Sequence, residues 1–443
     1  MSRPTVTLAM IVRDGGAGLA RCLKSALPGV DSIVVGDTGS SDGSAEIARH
    51  FGARVLNIPW RDDFSQARNA VLDSVESDWV LWLDADEMLS PAGAAQIPML
   101  IAQDEIDAFE VWRWNYVRTL NSRSGGRVAE ANPMAIEESH PYPAYTRYLN
   151  TLFFRRLPGL YFENPVHETV SRRVRALGLR AAEAPFVVHH FGFVEGPEEV
   201  RHAKNEYYHG LGTKKVRENP RDAWAHYELG LSELEHRRNP AAALLCFEQA
   251  RALNPGNRDA LVYAGICLTR MGRIDEARKY LENASNGLPS RLLAEALGDV
   301  YFQQGQDAEA LRCYEIAGSS PVLECKRGAC QVRLGEQAAG LARIQTAVAR
   351  EPNAGELHEI WAAALLQAGE IAAAAQVAQR RLSLSRPPAA SFLVAALLEA
   401  HLGQWDQALT TLLDGQKFYP GDSTLVREAR LAQEKAATMA AAR

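Results

Sequence analysis

The sequence contains few cysteines and lacks any long apolar segment. Its six cysteines include no Cys-x-x-Cys pair and follow no regular spacing, which argues against disulfides and against a structural zinc site. No apolar run approaches the roughly 20 residues that a membrane helix needs. The N-terminus also lacks the basic and then apolar pattern of a signal peptide. We therefore expect a cytoplasmic protein with reduced thiols and without a membrane span.

An excess of one charge is also missing. The net charge is -6 and the isoelectric point is about 6.0, so the chain has no general attraction to nucleic acid or to an anionic membrane surface. Of its 443 residues, 47% are hydrophobic and 23% are charged, which is an ordinary globular composition. This length predicts two or three domains, and we expect no nucleic-acid partner.

Two glycine-rich phosphate motifs are absent as well. The first predicted strand, Val6–Val12, is not followed by Gly-x-Gly-x-x-Gly, which argues against a dinucleotide cofactor. The sequence also lacks Gly-x-x-x-x-Gly-Lys-Ser/Thr, which excludes a P-loop. A mononucleotide that carries a diphosphate, held by a metal ion and not by a glycine loop, fits these absences best.

The first 90 residues alternate between short apolar strands and amphipathic helices. Strands are predicted at 6–12, 31–36, 53–56 and 79–83, and helices at 19–26, around 47–51 and at 64–72. This β-α-β-α-β-α-β order is typical of a parallel sheet with right-handed connections. The N-terminal part is therefore predicted to be an α/β domain.

Acidic residues follow the most apolar of these strands. The run that begins at Trp79 ends in Asp84, Asp86 and Glu87, at the carboxyl end of a strand, where open α/β sheets bind ligands. Carboxylate oxygens suit a hard divalent cation that also binds phosphate. Taken alone, Asp-x-Asp is a weak motif, because strand ends and helix N-caps often carry acidic residues.

Other polar residues are expected at the same edge of the sheet. Asp14 and Asp37 follow the first two strands, and Arg68 lies on the helix that precedes the Trp79 strand. Aspartate accepts hydrogen bonds from ribose hydroxyls or a base N–H, and arginine binds phosphate through two donors. These residues predict a site for a nucleoside diphosphate.

Four motifs follow one another in the N-terminal part: Met10-Ile11-Val12-Arg13-Asp14, the segment 34–44, Asp63-Phe64-Ser65-Gln66-Ala67-Arg68-Asn69 and Asp84-Ala85-Asp86-Glu87. Together and in this order they resemble a family-2 glycosyltransferase of the GT-A (Rossmann-like) fold. The resemblance implies that a nucleotide sugar is bound by Val12, Asp14, Asp37, Arg68, Asp84 and Ala85, and that Asp86 binds a divalent Mg or Mn ion. Relatives usually carry a Lys-Asn-Glu-like tripeptide where this chain has Arg13-Asp14-Gly15, which puts the contact to the base in question.

Two further candidates lie beyond residue 150. In GT-A enzymes a late histidine often completes the metal site, and His190 fits this role better than His189, because alternation along a strand sends the two to opposite faces. A buried, hydrogen-bonded imidazole is the alternative for His190. The resemblance also makes Glu168 the candidate general base, unless it is a structural carboxylate paired with a neighbouring arginine. The rival candidates for the base are Glu137, Glu138 and Glu163.

Strands are also predicted at 109–117, 150–156 and 186–193, and residues 119–147 are expected to form a mobile insertion or a flap on the acceptor side.

From about residue 221 the composition shifts to alanine and leucine. Six prolines then recur about 33 residues apart on average, at 255, 289, 321, 352, 387 and 420. Small residues at fixed offsets, such as Gly265, Gly298 and Gly328, let two antiparallel helices approach closely. The pattern resembles the tetratricopeptide repeat, with about six repeats and a capping helix.

The predicted organisation is a GT-A domain at 1–200, a connecting helix or linker at 201–220 and an all-α repeat solenoid at 221–443. The resemblance implies an inverting, metal-dependent glycosyltransferase with a nucleotide-sugar donor, UDP-sugar being favoured, and leaves a homodimer open. The groove of the repeats favours a peptide or protein acceptor. Two alternatives remain: an acceptor that is a cell-envelope glycan precursor, and a repeat scaffold whose nucleotide-binding domain is not catalytic.

Overall fold

The computed structural model describes residues 3–120, 122–124, 127–285, 290–384 and 387–441. Pro289, one of the six repeat prolines, lies outside the described residues. The chain divides into two compact units, Met1–Pro255 and Gly256–Arg443. No helix in the described ranges is both long and apolar enough to cross a membrane.

A mixed β-sheet forms the centre of the first unit. The strands are β1 (Val6–Val12), β2 (Ser32–Asp37), β3 (Arg54–Asn57), β4 (Trp79–Trp82), β5 (Glu87–Leu89), β6 (Ala108–Val117), β7 (Arg123–Ser124), β8 (Arg127–Val128), β9 (Glu130–Ala131), β10 (Ala144–Arg155) and β11 (Ala181–His190). The order in the sheet is β3-β2-β1-β4-β10-β6-β11-β5, and β9 pairs with β10. Strands β7 and β8 form a separate antiparallel pair.

The first four strands are parallel to one another. Strand β1 pairs with β2 and β4, and β2 pairs with β3, all in the parallel sense. This confirms the parallel arrangement predicted for the first 90 residues. The sheet then becomes mixed, because β10 is inserted antiparallel between β4 and β6, and β11 runs parallel to β6.

Helices cover both faces of the sheet. The helices of this domain are α1 (Gly16–Ala26), α2 (Ser44–His50), α3 (Phe64–Leu72), α4 (Pro91–Leu100) and α5 (Ser171–Ala176). Successive residues of β4 belong to two separate apolar cores: Trp79 and Leu81 pack in one, and Val80 and Trp82 pack in the other. Strand β4 is therefore buried on both faces, as its continuous apolar run predicts.

The predicted insertion at 119–147 is partly strand. Strand β10 begins at Ala144, whereas the sequence places its start at residue 150. The prediction was wrong here because Thr146 and Arg147 break the apolar alternation, although Thr146 is buried. Their backbone pairs with Asn115 and Trp114 of β6, a partner that local pattern does not reveal.

A long helix and a series of helix pairs follow the sheet domain. Helix α6 (Glu198–Glu218), α7 (Ala223–Glu235) and α8 (Pro240–Leu253) belong to the first unit. The second unit holds α9 (Arg258–Arg270), α10 (Ile274–Ala284), α11 (Arg291–Gln303), α12 (Asp307–Ala317), α13 (Pro321–Arg333), α14 (Gln337–Arg350), α15 (Gly355–Gln367), α16 (Ile371–Leu382), α17 (Ala389–His401), α18 (Trp405–Phe418) and α19 (Ser423–Ala441). Within the described ranges, α7 to α18 follow one another as six pairs, with α19 last.

Small residues let the helices of a pair approach closely, as the repeat pattern predicts. A Cβ atom on Gly298 of α11 would lie 2.6 Å from the Tyr314 ring of α12. On Gly328 of α13, a Cβ would lie 2.6 Å from the backbone oxygen of Gly340 on α14. Both distances are shorter than van der Waals contact. A larger side chain at either position would therefore force the pair apart.

Candidate active site

The loops after β1 and β2 are built around two aspartates. The Asp37 carboxylate accepts hydrogen bonds from the backbone N–H groups of Gly39 and Ser40, at 2.9 and 2.7 Å. Gly39 has a φ of 106°, a backbone conformation that favours glycine. The Asp14 carboxylate accepts a bond from the Ser41 N–H at 2.7 Å. These contacts hold the two loops together at the carboxyl edge of the sheet.

Val12 and Ala85 border the same two loops. The Val12 carbonyl accepts bonds from both the N–H and the hydroxyl of Thr38. A Cβ on Gly15, at the start of α1, would lie 3.2 Å from the Ala85 Cβ and 2.8 Å from the Val12 side chain. The predicted nucleotide-binding residues of β1, β2 and the Asp84 turn are thus neighbours around the start of α1.

Arg68 lies at the centre of a buried cluster of charges. Its Nη2 is 2.9 Å from Asp84 Oδ1 and 2.6 Å from Glu168 Oε1. The guanidinium stands over the rings of Trp82 and Phe162, at 5.0 and 5.3 Å from their centroids. Because only 7% of Arg68 is exposed, its charge acts mainly on the two carboxylates that it orients.

A second arginine, Arg113 on β6, completes the cluster. Its Nη2 is 3.4 Å from Asp84 Oδ2, and its Nε is 2.5 Å from Glu87 Oε1. Burial acts to raise the pKa of the Asp84 carboxyl, but the charges of the two guanidinium groups outweigh this effect. The pKa of Asp84 is therefore below its ordinary value. Burial raises the pKa of the Glu87 carboxyl to about 7, although Arg113 opposes the rise.

Asp86 points at a different set of partners. Its Oδ1 lies 3.4 Å from His190 Nε2, and its Oδ2 lies 3.8 Å from the Lys204 ammonium. Burial acts to raise the pKa of Asp86, but these two neighbours hold it well below its ordinary value. The other His190 nitrogen, Nδ1, donates a 2.7 Å hydrogen bond to Asn115 Oδ1.

The Asp86–His190 pair fits a divalent cation. Because Nδ1 of His190 carries the proton shared with Asn115, the lone pair of a neutral ring at Nε2 faces a carboxylate oxygen, an arrangement that needs a proton or a cation between the two atoms. Gly192 leaves this space open, since a Cβ there would lie 2.2 Å from Asp86 Oδ2 and 2.7 Å from His190 Nε2. Within the described residues no group of three or more acidic, histidine or cysteine side chains could hold a metal. A cation here would therefore take its remaining ligands from the substrate and water.

His189 has a different environment from its neighbour. Its Nδ1 forms a 2.8 Å hydrogen bond with the Tyr116 hydroxyl, and 1% of the residue is exposed. Burial lowers the pKa of His189 to about 4, so the ring is neutral at physiological pH. The alternation expected along the strand thus directs His190 toward Asp86 and His189 into an apolar cluster with Tyr116 and Phe191.

The rival bases lie in other surroundings. Glu163 pairs with Thr169 through a backbone bridge in the loop before α5. Glu137 and Glu138 belong to a short 3-10 helix, Glu137–Ser139. Glu168 is the one of these four that forms an ion pair with Arg68. The ion pair with an arginine, which is the structural alternative to a general base for Glu168, is therefore present.

Several residues of the site are not singled out by the sequence. Arg113 and Asn115 stand in an alternating aromatic strand, and a charged residue amid such a pattern is the signal that could have indicated a buried ion pair. Lys204 and Tyr208 lie on α6, within the segment described as a connecting helix or linker. Tyr208 stacks on Phe64 of α3 at a centroid distance of 5.6 Å. Their place beside Asp86 depends on tertiary packing.

Comparison with known proteins supports the two-part organisation. The family model for glycosyl transferase family 2 matches residues 7–148, and a tetratricopeptide repeat model matches residues 234–294. A TPR repeat-containing protein of Synechococcus elongatus is 33% identical over 232 residues, which cover 51% of each chain.

Two relatives named as glycosyltransferases match shorter stretches. Glycosyltransferase SunS of Bacillus subtilis is 29% identical over 96 residues, 21% of this chain and 23% of that protein. An uncharacterized glycosyltransferase of Rickettsia felis is 32% identical over 104 residues, 24% of this chain and 36% of that protein. The chain spans about half or less of the length of these curated relatives. Residues 7–148 are thus a glycosyl transferase family 2 domain, and tetratricopeptide repeats follow it in the same chain.

Proposed function

We propose that the protein is an inverting, metal-dependent glycosyltransferase that moves a sugar from a nucleoside diphosphate sugar, with UDP-sugar favoured, to a peptide or protein side chain. The observation that carries the proposal is the pairing of Asp86 with His190 at the carboxyl edge of the sheet, directly beside the Arg68–Asp84 pair. This edge is where α/β sheets bind nucleotides. The match of residues 7–148 to the model for glycosyl transferase family 2 supports the glycosyl transfer in this proposal.

Asp86 and His190 are the residues that would hold the divalent cation, Mg or Mn. Such an ion supplies charge neutralisation at the diphosphate as it leaves the sugar. Asn115 supports this role, because its bond to His190 Nδ1 leaves Nε2 facing Asp86, where it could bind a cation. Glycine at position 192 supports it too, since any side chain there would fill the space between the two ligands.

The remaining residues would orient the nucleotide and the acceptor. Asp84 is held by two arginines, so its carboxylate would have a fixed position from which to accept hydrogen bonds from the ribose hydroxyls. Asp37 and Asp14 shape the loops on the side where the base would lie. Glu168 would take the proton of the acceptor as the acceptor atom attacks the anomeric carbon. Arg68 fixes the orientation of this carboxylate.

The acceptor proposal rests on the repeats. Tetratricopeptide helices form concave surfaces that commonly bind peptides or proteins, and here they share a chain with a transferase domain. A glycan precursor of the cell envelope is the alternative acceptor. A repeat scaffold with a non-catalytic nucleotide-binding domain is the alternative from another class of protein. The paired Asp84, Asp86 and Arg68 argue against the scaffold, because a site that had lost activity would be expected to lose such buried charges.

Thermal stability against nucleotides is the first test. A ligand that binds only the native state raises the melting temperature, so we expect UDP or a UDP-sugar to stabilise the protein with Mn and to do so less with EDTA. Asp86→Ala should abolish the metal-dependent part of the shift and slow the hydrolysis of UDP-sugar by about 100-fold or more. Asp104→Asn, a highly exposed carboxylate, is the matched control. Absence of a shift with every nucleotide sugar would favour the scaffold.

A further inference from the structure

Helix α6 is anchored firmly to the sheet domain. The Tyr207 hydroxyl donates a 2.6 Å hydrogen bond to Asp62, and the Trp60 N–H donates a 2.7 Å bond to Tyr207. Two turns further on, the buried Lys215 ammonium reaches the Val166 carbonyl at 3.4 Å. These contacts fix the helix along much of its length. The position of its other side chains relative to the site is therefore defined.

Lys204 extends from α6 toward the proposed metal ligand. Its ammonium lies 3.8 Å from Asp86 Oδ2 and 5.9 Å from the centroid of the Tyr208 ring. The side chain is 47% exposed, so the ammonium is open to the space above the carboxylate. Tyr208 itself stacks on Phe64 of α3.

The other cations of the site are already occupied by carboxylates. The side chains of Arg68 and Arg113 are 9% and 19% exposed, and each contacts two acidic groups. Their geometry stabilises the protein's own carboxylates and leaves little capacity for a phosphate. Lys204 differs because it is half exposed and its contact with Asp86 is long enough for a phosphate oxygen to compete for it.

The charge balance of the site calls for an accessible cation. Four acidic side chains belong to the site, and Arg68 and Arg113 contact three of them: Asp84, Glu87 and Glu168. An incoming diphosphate adds further negative charge beside Asp86, where a divalent ion and one ammonium would together offset it. Lysine suits this task, because its ammonium is a compact charge with three rotatable donors.

We propose that Lys204 binds the diphosphate of the donor and stabilises it as the leaving group. The inference rests on the proposed glycosyltransferase function. In that reaction the bond between the anomeric carbon and the diphosphate oxygen breaks, and its electron pair passes to that oxygen. The acceptor forms the new bond to carbon and gives its proton to the carboxylate base. Lys204 donates hydrogen bonds to the diphosphate and exchanges no proton in the step.

The test compares three variants of the full chain: Lys204→Met, Lys204→Arg and, as the control on the same helix, Lys214→Met. Lys214 carries the same charge but acts on Asp62. Calorimetric titration with UDP and with uridine, in the presence of Mn, separates binding of the diphosphate from binding of the nucleoside. We expect Lys204→Met to weaken UDP binding by about 10- to 100-fold, the loss expected for a hydrogen bond between charged groups. Uridine binding should stay within about twofold of the parent value.

Hydrolysis of UDP-sugar supplies a second readout. Lys204→Met should lower kcat as well as UDP affinity, and Lys204→Arg should restore most of both, because the charge returns. Equal UDP affinity in Lys204→Met and the parent would overturn the role of Lys204, and so would an equal loss for uridine and UDP. A parent protein that binds no nucleoside diphosphate would instead refute the proposed function, and the two failures are therefore distinguishable.

Discussion

At the scale of single residues, the contact of Glu168 with Arg68 is compatible with two roles. Its carboxylate lies 2.6 Å from Arg68 Nη2, so it serves either as the base that takes the acceptor proton or as a group that only orients Arg68. The substitution Glu168→Gln distinguishes the two roles. Glutamine keeps an oxygen that can accept a bond from Arg68 but cannot take up a proton at neutral pH.

We predict that Glu168→Gln lowers kcat for hydrolysis of UDP-sugar by about 100-fold or more, the usual contribution of a general base, with little change in donor KM or melting temperature. Steady-state kinetics and a thermal melt measure these quantities. Glu163→Gln, in the same loop, is the matched control and should behave like the parent. If Glu168→Gln raised KM and left kcat unchanged, an orienting role would be the better description.

A buried carboxyl in the second unit predicts a pH dependence of stability. Glu399 of α17 is 2% exposed and accepts hydrogen bonds from Thr411, at 2.9 Å, and from Gln379. Burial raises the pKa of Glu399 above its ordinary value of 4.5. Because the folded state binds this proton more tightly than the unfolded state, the contribution of Glu399 to stability falls as the pH rises from 4.5 through the folded-state pKa.

The variant Glu399→Gln removes this titration. We expect the free energy of unfolding of the parent to fall relative to that of Glu399→Gln between pH 4.5 and neutral pH, because the folded state keeps this proton to a higher pH than the unfolded state does. Urea unfolding at several pH values measures the difference. Glu434→Gln, at a largely exposed position of α19, should follow the parent at every pH. A constant difference between Glu399→Gln and the parent would show that ionisation of Glu399 does not affect stability.

At the scale of elements, a buried ion pair is one of the contacts that join α6 to the first helix pair. Lys215 of α6 is 2% exposed and lies 2.7 Å from Glu228 Oε2 of α7. Among the contacts of the described residues, Glu228→Leu would leave the buried ammonium with the Val166 carbonyl as its partner, at 3.4 Å. Removing one partner of a buried pair costs about 3 kcal/mol or more, so we predict a loss of that size in the free energy of unfolding.

The double variant Lys215→Met with Glu228→Leu is the control for this prediction. Replacing both charges by apolar groups of similar size is often neutral, so the double variant should recover most of the stability that Glu228→Leu loses. A double-mutant cycle by urea unfolding gives the coupling energy. Additive losses in the two single variants would mean that the ion pair contributes nothing measurable to this join.

The sequence predicts the elements well where the signal is local. Strand β1 and helix α3 have the predicted bounds, Val6–Val12 and Phe64–Leu72, because local signals define them. These signals are a continuous apolar run in β1, and in α3 an apolar spacing that follows the N-cap Asp63. Strand β5, Glu87–Leu89, is not predicted, because its three residues are a strand only through pairing with β11, about 100 residues further on. Among the site residues, Asp84 and Asp86 follow from motif and strand order, whereas Lys204 depends on how α6 packs against the sheet.

At the scale of the whole molecule, the residues proposed to bind the donor all belong to the first compact unit, Met1–Pro255. This unit also contains α7 and α8, whose removal would take Glu228 away from Lys215. A deletion that separates donor chemistry from acceptor binding should therefore end the chain after Pro255 and not at residue 220, the boundary suggested by composition.

We predict that residues 1–255 bind UDP with Mn and hydrolyse UDP-sugar at rates within about threefold of the full chain, because the ion pairs around Arg68 and Asp86 are all retained. The same fragment should lose transfer to a protein acceptor, because the repeats of the second unit are the proposed binding surface. Donor hydrolysis and sugar incorporation into protein, measured side by side after circular dichroism has shown that the fragment is folded, test the two halves of the prediction separately. If the fragment still modified the protein acceptor at the full rate, the repeats would not be the acceptor site, and acceptor recognition would have to lie in the transferase unit itself.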